Sequence, residues 1–339
     1  MSTGVKLQPK QACYVSVSAV IVNQMGVKLE DNSMRDLQKI LVIIEPEHDM
    51  QLALGKALRL ARESGAALEL LICDHNPYLE DGYYFEPLQA RKLREEHLAA
   101  NRKLLEEMAS VIRPQGVTVT VDAVWGNPPY RHIIDKVLDS NPDLLVQSSR
   151  HHEKISRLLL SHQDWQLLRY CPCPLLLVKD LPWPEQPVMV VAVDPNHVND
   201  KPADFDIQLT AAGSELQNLT GGSLHVFHSC YQPPVSGLYP VKVDIAQVRD
   251  STRELLSDFA LPDAQLHIEQ EEVRKSLPAL LDRLKANVLV MGAVSRSAID
   301  HFLVGSTAER LLDSVAQDVL ILKPEGFKGR VKKAMPENL

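Results

Sequence analysis

The sequence predicts an α/β protein of two tandem domains, each a doubly wound parallel sheet of five strands. Two observations lead to this prediction. Short runs rich in Val, Ile and Leu alternate with segments whose apolar residues recur at helical spacing, and this order of elements occurs twice along the chain. Apolar runs without polar alternation are typical of parallel strands that helices cover on both faces.

The first copy begins with "KILVIIEP", a short apolar run that Pro46 closes. The next segment, "MQLALGKALRLARESG", predicts a helix that ends at Gly65. "ALELLICD" predicts the second strand, and "LQARKLREEHLAANRKLLEEMASVI" predicts a long amphipathic helix. A third strand, "VTVTVDAVW", precedes a helix around "PYRHIIDKVLDS", and "DLLVQSS" and "PLLLVKD" complete the set of five strands.

The second copy repeats this order from "VMVVAVDP", the counterpart of "KILVIIEP", through "SLHVFHSC", the counterpart of "ALELLICD". Residues 143–180 align with residues 287–324 without a gap, and their apolar positions agree throughout. A unit of about 145 residues is too long for a solenoid repeat and indicates a duplicated domain.

The predicted organisation has four parts and a linker. The linker "DLPWPEQP" contains three prolines and is expected to be short and stiff. The segment before the first strand has no counterpart in the second copy, so it is expected to be dispensable, as a disordered extension or a misassigned start. The parts are residues 1–33 (extension), 37–180 and 188–325 (domains) and 326–339 (basic tail).

Composition narrows the classes of function. Lys and Arg number 36 against 44 Asp and Glu, a formal net charge of −8, which argues against general nucleic-acid binding. Five cysteines without a regular framework are typical of free thiols in a reducing cytoplasm. No apolar run approaches the roughly 20 residues that a membrane span requires, so the expected location is cytoplasmic.

One stretch, "VMGAVSRSAIDHFLVGSTAERLL", has the pattern of a phosphate site, and the alternative is two ordinary loop glycines beside a helix start. Gly292 directly follows the fourth strand of the second copy, at the sheet edge where ligands of open parallel sheets bind. Gly305 precedes a helical segment for which Ser306 or Thr307 is suited as the N-cap. Free backbone N–H groups and the helix dipole would then favour an anion.

Together, the repeat, the strand–Asp–Pro start and this motif resemble the universal stress protein family. Its ATP-binding members carry Gly-x2-Gly-x9-Gly-(Ser/Thr); here the positions are Gly292, Ser295, Gly305 and Ser306, with serine for the middle glycine. The junction "HQDWQLLRYCPCPLLLVKDLPWPE" is most similar to the tandem, two-domain E type, and the resemblance covers about residues 37–325. It implies Rossmann-like, nucleotide α-hydrolase-like domains that form a pseudo-dimer through their fifth strands, at 175–178 and 319–322.

The resemblance also implies roles for individual residues of the second copy. Asp194 would contact the adenosine of ATP or another adenine nucleotide, and Val226 would offer backbone groups to the adenine. The alternative for Asp194 is a turn residue before Pro195, and the alternative for Val226 is a core position of the sheet. The ribose and phosphates, with any Mg²⁺ that accompanies ATP, would be lined by Met291, Gly292, Ser295, Gly305, Ser306 and Thr307.

The first copy departs from the motif. Glu45 replaces the Asp, and the four motif positions are Ser148, His151, Ser161 and His162, so every glycine is absent. We expect the first copy to have lost the ability to bind ATP. Its basic loop "SSRHHEKISR" could bind an anion by charge, or could be solvated or contact the other copy.

No metal ligand set or catalytic motif is predicted. Cys171 and Cys173 are too close in sequence for good tetrahedral zinc chelation, and their second-copy counterparts are Val315 and Gln317. Three functions stay open: a stress-response protein that binds an adenine nucleotide and acts through unknown partners, a weak ATPase, and a scaffold or carrier of a small ligand. The resemblance implies a role in stress or DNA-damage tolerance, and a further homodimer is left open.

Overall fold

The computed structural model describes residues 37–47, 51–80, 84–149, 160–195, 202, 204–232, 244–293, 306–324 and 327. The predicted extension at residues 1–33 and the basic tail at 326–339, Phe327 apart, lie outside these residues. Within the described part of the chain, no helix is both long and apolar enough to cross a membrane.

The first copy has the predicted order of strands and helices. Its first helix ends at Gly65, whose φ of 78° lies in the left-handed region that glycine adopts without steric cost. The elements are β1 (Lys39–Ile43), α1 (Leu52–Ser64), β2 (Ala67–Asp74), α2 (Pro87–Ile112), β3 (Val119–Trp125), α3 (Pro129–Ser140), β4 (Leu144–Ser148), α4 (His162–Tyr170) and β5 (Leu175–Val178).

The second copy repeats the same architecture. Gly221, with φ of 65°, ends its first helix as Gly65 ends that of the first copy. The elements are β6 (Val188–Ala192), α5 (Phe205–Thr220), β7 (Ser223–Ser229), α6 (Ile245–Leu255), β8 (Leu266–Glu269), α7 (Val273–Leu284), β9 (Val288–Gly292), α8 (Ser306–Leu312) and β10 (Asp318–Leu322).

All ten strands of the described residues belong to one sheet, in the order β3-β2-β1-β4-β5-β10-β9-β6-β7-β8. Within each copy the first strand lies between the second and the fourth, and all pairings are parallel. The chain therefore reverses its winding direction between β1 and β4, and again between β6 and β9. Such a reversal leaves a crevice at the carboxyl ends of the two strands.

The two copies meet through their fifth strands. β5 and β10 pair in antiparallel orientation, with Leu175 opposite Ile321 and Leu177 opposite Val319. Every residue of both strands is buried. This pairing confirms the predicted pseudo-dimer and joins the two five-stranded sheets into one.

Apolar side chains from alternate strand positions form one core layer on each face of the sheet. Ile40 and Val42 of β1 point to the layer that α1, α2 and α5 cover, and Leu41 and Ile43 point to the layer under α3, α4, α7 and α8. Because consecutive strand residues face opposite sides, a sheet covered on both faces needs the unbroken apolar runs seen in the sequence.

The linker between the copies is held by hydrogen bonds to Arg59 of α1. Its guanidinium donates to the carbonyls of Pro184 (2.6 Å) and Glu185 (2.5 Å) in the linker. It also donates to the carbonyl of Thr220 at the end of α5, at 3.0 Å. A side chain of the first copy thus fixes both the linker and a helix end of the second.

Candidate functional site

The candidate site lies at the carboxyl ends of β6 and β9, where the second copy reverses its winding. The two strands run in parallel register, with Val191 opposite Val290. Gly292 is the last residue of β9, and Asp194 follows β6 by two residues. The fold therefore brings together two of the predicted site residues that are about a hundred positions apart in sequence.

Asp194 is held by its backbone while its side chain stays accessible. Its N–H donates to Oδ1 of the buried Asp206, in the first turn of α5, at 3.1 Å. The Asp194 side chain is 42% exposed, and its Oδ1 lies 4.0 Å from Nδ1 of His228. This geometry leaves the carboxylate within reach of a ligand in the crevice.

His228 is a buried polar residue of this site that the sequence analysis did not single out. Its Nδ1 lies 3.1 Å from the carbonyl oxygen of Val193, and the side chain is 1% exposed. Because a carbonyl oxygen can only accept, Nδ1 is the nitrogen that carries the hydrogen. The available signal was weak, because the apolar run "SLHVFHSC" contains two histidines, His225 and His228, and does not tell them apart.

Val226 lies in the middle of β7, fully buried, in register with Val191 on one side and Leu266 on the other. Its side chain belongs to the core. Any contact with a base would have to come from its backbone groups, which is the role that the family resemblance implies.

Gly292 has a packing requirement as well as a candidate ligand role. A Cβ at this position would lie 2.2 Å from Cε1 of Phe205, the first residue of α5, whose ring is 1% exposed. The ring therefore uses the space that the glycine leaves. Met291, the preceding residue, is 7% exposed and packs in the opposite core layer.

The rest of the motif is described in part. Ser295 and Gly305 lie outside the described residues. Helix α8 begins at Ser306, so Ser306 and Thr307 belong to its first turn. The residues before Ser306 lie outside the described part of the chain, so the N-cap role of Ser306 or Thr307 stays a prediction.

The equivalent end of the first copy is occupied by a buried carboxylate. Asp164 of α4 is 1% exposed and accepts hydrogen bonds from Gln147 Nε2 (2.7 Å) and Ser149 Oγ (3.0 Å) at the end of β4. It also accepts from the backbone N–H of Ser161 at 2.9 Å, while Ser161 Oγ accepts from the Asp164 N–H at 3.1 Å. This reciprocal capping box closes the N-terminus of α4 with a charge from the chain itself.

The carboxyl ends of β4 in the first copy and β9 in the second differ in charge because the side chains around them differ. The second-copy counterparts of Gln147, Ser149 and Asp164 are Met291, Ala293 and Ala308, which carry neither a charge nor a strong acceptor. An anion that approached α4 would meet a buried carboxylate and donors that are already satisfied. The basic loop predicted as an alternative anion site spans positions 148–157, of which 150–157 lie outside the described residues.

Comparison with known proteins finds matches that span both copies of the chain. The model of the Universal stress protein family matches residues 36–179 and again residues 188–323. The chain is 28% identical over 316 residues to Universal stress protein E of Photorhabdus laumondii, covering 89% of this chain and 99% of that protein. It is 27% identical over 311 residues to Universal stress protein E of Escherichia coli K12, covering 87% and 96%.

Solved structures have the same tandem fold. A universal stress protein from Pseudomonas aeruginosa UCBPP-PA14 superposes with a TM-score of 0.70 at 27% identity, over 86% of this chain and 95% of that chain. One from Archaeoglobus fulgidus shares the fold at 18% identity, with a TM-score of 0.61 over 86% of this chain and 98% of that chain. With both copies matched by the family model, this chain belongs to the universal stress protein family.

Proposed function

We propose that the second copy binds an adenine nucleotide, ATP in the first instance, at the carboxyl ends of β6 and β9. The protein would then act in the cytoplasm as a stress-response protein, through partners, in stress or DNA-damage tolerance. The observation that carries the proposal is the contrast between the two copies. Asp164 fills the first copy's end with a buried charge, whereas its counterpart in the second copy is Ala308.

The crevice of the second copy supplies complementary groups for such a ligand. Asp194 presents an accessible carboxylate, the group that commonly accepts hydrogen bonds from ribose hydroxyls. Gly292 is the last residue of β9, so its backbone groups lie at the edge of the crevice. The spacing from Gly292 to Gly305 and Ser306 keeps the family's ATP motif, with Ser295 as the one departure.

Isothermal titration calorimetry of the full chain with ATP tests the proposal. We expect one site per chain. Gly305→Asp puts a carboxylate where phosphate oxygens would lie and should abolish binding. Ser161→Asp is the matched control in the first copy, because Asp is a good N-cap and keeps α4 capped; it should leave the affinity unchanged. Thermal unfolding of both variants verifies that they fold.

Three outcomes would contradict the proposal. Two equivalent sites, or equal losses from both variants, would mean that the copies do not differ as proposed. Absence of any adenine-nucleotide binding at millimolar concentration would favour the scaffold or small-ligand carrier. Release of phosphate from bound ATP would instead favour the weak ATPase.

A further inference from the structure

Cys171 and Cys173 form a buried pair of thiols that the proposed nucleotide site does not use. Cys171 ends α4, and Cys173 lies two residues before β5. Their Sγ atoms are 3.5 Å apart, in hydrogen-bonding contact, and the residues are 0% and 8% exposed. Both are free thiols in the structure.

Lys323 brings a positive charge to this pair from the other copy. It directly follows β10, and the antiparallel pairing of Leu175 with Ile321 places the end of β10 beside the start of β5. The Lys323 ammonium is buried and donates a hydrogen bond to the carbonyl of Cys171. Burial lowers the pKa of Lys323 to about 8, and the two cysteines act against that shift.

The environment separates the two thiols chemically. A hydrogen bond from Cys173 and the charge of Lys323 lower the pKa of the Cys171 thiol, against the effect of burial. The same hydrogen bond and burial raise the pKa of Cys173 well above its ordinary value. Cys171 is therefore suited to be the thiolate, with Cys173 as the thiol that donates to it.

We propose that Cys171 and Cys173 are a redox-active dithiol that a hydroperoxide oxidises to an intrachain disulfide. The Cys171 thiolate attacks one oxygen of the hydroperoxide, forms a sulfenic acid and, after protonation, releases water or an alcohol. Cys173 sulfur then attacks Cys171 Sγ, the S–O bond breaks, and the hydroxyl leaves as water with the Cys173 proton. Two thiols give up two electrons and two protons, and one peroxide O–O bond is reduced.

The geometry requires little movement for this reaction. The sulfur atoms must approach from 3.5 Å to about 2.05 Å. Two residues that are separated by a single position have Cα atoms no more than about 7 Å apart, near the range of disulfides. Cys171 is fully buried and Cys173 is 8% exposed, so the oxidant must reach the pair from the side of Cys173.

The pairing of β5 with β10 forms a seam between the copies, and the duplication makes the two ends of this seam equivalent. The cysteine pair lies at one of these ends and is not repeated at the other. Val315 and Gln317 are the counterparts of the two cysteines in the second copy. The counterpart of Lys323 is Lys179, whose buried ammonium interacts with the carboxylates of Asp164 and Asp318 instead of with thiols. The redox chemistry would therefore lie at one end of the seam, next to the strands that join the copies.

The test uses a full-length variant that keeps this pair as its sole cysteines, Cys13→Ser/Cys73→Ser/Cys230→Ser. Treated with hydrogen peroxide, it should lose both alkylatable thiols and the mass of two hydrogen atoms, as a monomer, and dithiothreitol should restore both thiols. The same variant with Cys171→Ser added should show no such mass loss. Free thiols after treatment, a disulfide between chains, or gain of oxygen atoms without a disulfide would overturn the proposal.

The role of Lys323 is tested by the rate of oxidation at pH 7. Lys323→Met removes the charge and should slow the reaction about three-fold for each unit by which the pKa of the thiol rises, since a less acidic thiol is also more nucleophilic. Lys323→Arg keeps the charge and should restore the rate. An unchanged or faster rate in Lys323→Met, which a merely loosened structure would produce, would contradict the assignment.

Discussion

The ammonium of Lys56, on α1 of the first copy, lies 2.6 Å from Oδ2 of Asp318, the first residue of β10 in the second copy. Both side chains are buried, at 5% and 2% exposure. The Asp318 carboxylate also accepts from the backbone N–H of Lys179 (2.7 Å) and from Trp183 Nε1 of the linker (2.6 Å). A buried ion pair thus ties both copies and the linker together at one end of the seam.

Loss of Lys56 should destabilise the whole protein. Lys56→Met removes one partner and leaves the Asp318 charge buried, at a cost of about 3–5 kcal/mol in the free energy of unfolding. The matched control is Lys92→Met, which removes an exposed lysine from an i,i+4 pair on α2 and should cost less than about 0.5 kcal/mol. Urea denaturation measures both; equal effects would show that the buried pair does not hold the copies together.

The contact between Gly292 and Phe205 should be sensitive to a single methyl group. Gly292→Ala places a Cβ 2.2 Å from the Phe205 ring and should destabilise the fold by about 1–3 kcal/mol. Phe205→Leu in the same chain should relieve part of that loss, which a double-mutant cycle measures. Gly55→Ala, inside α1 with no atom within 4 Å of the new Cβ, should stabilise by up to about 1 kcal/mol. A Gly292→Ala variant as stable as the native protein would refute the contact.

The Asp164 network should account for part of the stability of the first copy. Asp164→Ala removes the acceptor for Gln147, Ser149 and the Ser161 backbone, and we expect a loss of about 2–3 kcal/mol. Asp250→Ala, at an exposed carboxylate of α6, is the control, with an effect below about 0.5 kcal/mol. The midpoint of chemical denaturation reports both. If Asp164→Ala unfolded at the native midpoint, the carboxylate would not be needed to close this end.

Stability should fall as the pH drops through the range in which His267 titrates. Burial first, then the adjacent His225 and the charges of Arg283 and Arg249, lower the pKa of His267 to about 4. The unfolded chain, with a histidine pKa of about 6.5, takes up the proton first, so this contribution is complete above about pH 6.5 and is lost as the pH falls towards 4. Midpoints of urea denaturation at pH 7 and pH 5 measure the slope.

The matched variants separate this effect from general acid destabilisation. His267→Gln should flatten the dependence on pH, because it removes the group and its contact of 3.0 Å with His225 Nδ1. His162→Gln, at an exposed position, should leave the slope unchanged. A native slope in His267→Gln would mean that other groups are responsible.

Ser295 gives the sharpest test of the proposed ATP motif. If the loop needs a left-handed backbone at this position, serine costs about 1 kcal/mol more than glycine. Ser295→Gly should then tighten ATP about five-fold in calorimetry. Ser297→Gly, next to the motif, should change little. Should neither the native protein nor Ser295→Gly bind ATP, the second copy would have lost the function too.

The sequence by itself determined the elements and their duplication. Val- and Ile-rich runs separated by amphipathic segments predicted the strands of the first copy and most of those of the second, because burial on both faces of a sheet imposes an apolar pattern that is local in sequence. The short strand β8 (Leu266–Glu269) was not predicted. Gly65 marked a helix end for the same reason, since its left-handed backbone is a local requirement. The seam between β5 and β10 followed from the family resemblance and is confirmed.

Only the tertiary structure decided which polar groups are buried together. Lys56 pairs with Asp318, 262 positions away in the sequence, and Asp164 accepts a hydrogen bond from Gln147, 17 positions away. No periodic pattern of the sequence reveals either contact. The same holds for Phe205, whose ring lies on Gly292, and for Lys323 beside Cys171. The effect of a buried charge or of a glycine depends on the atoms packed around it, and folding brings those atoms from distant parts of the chain.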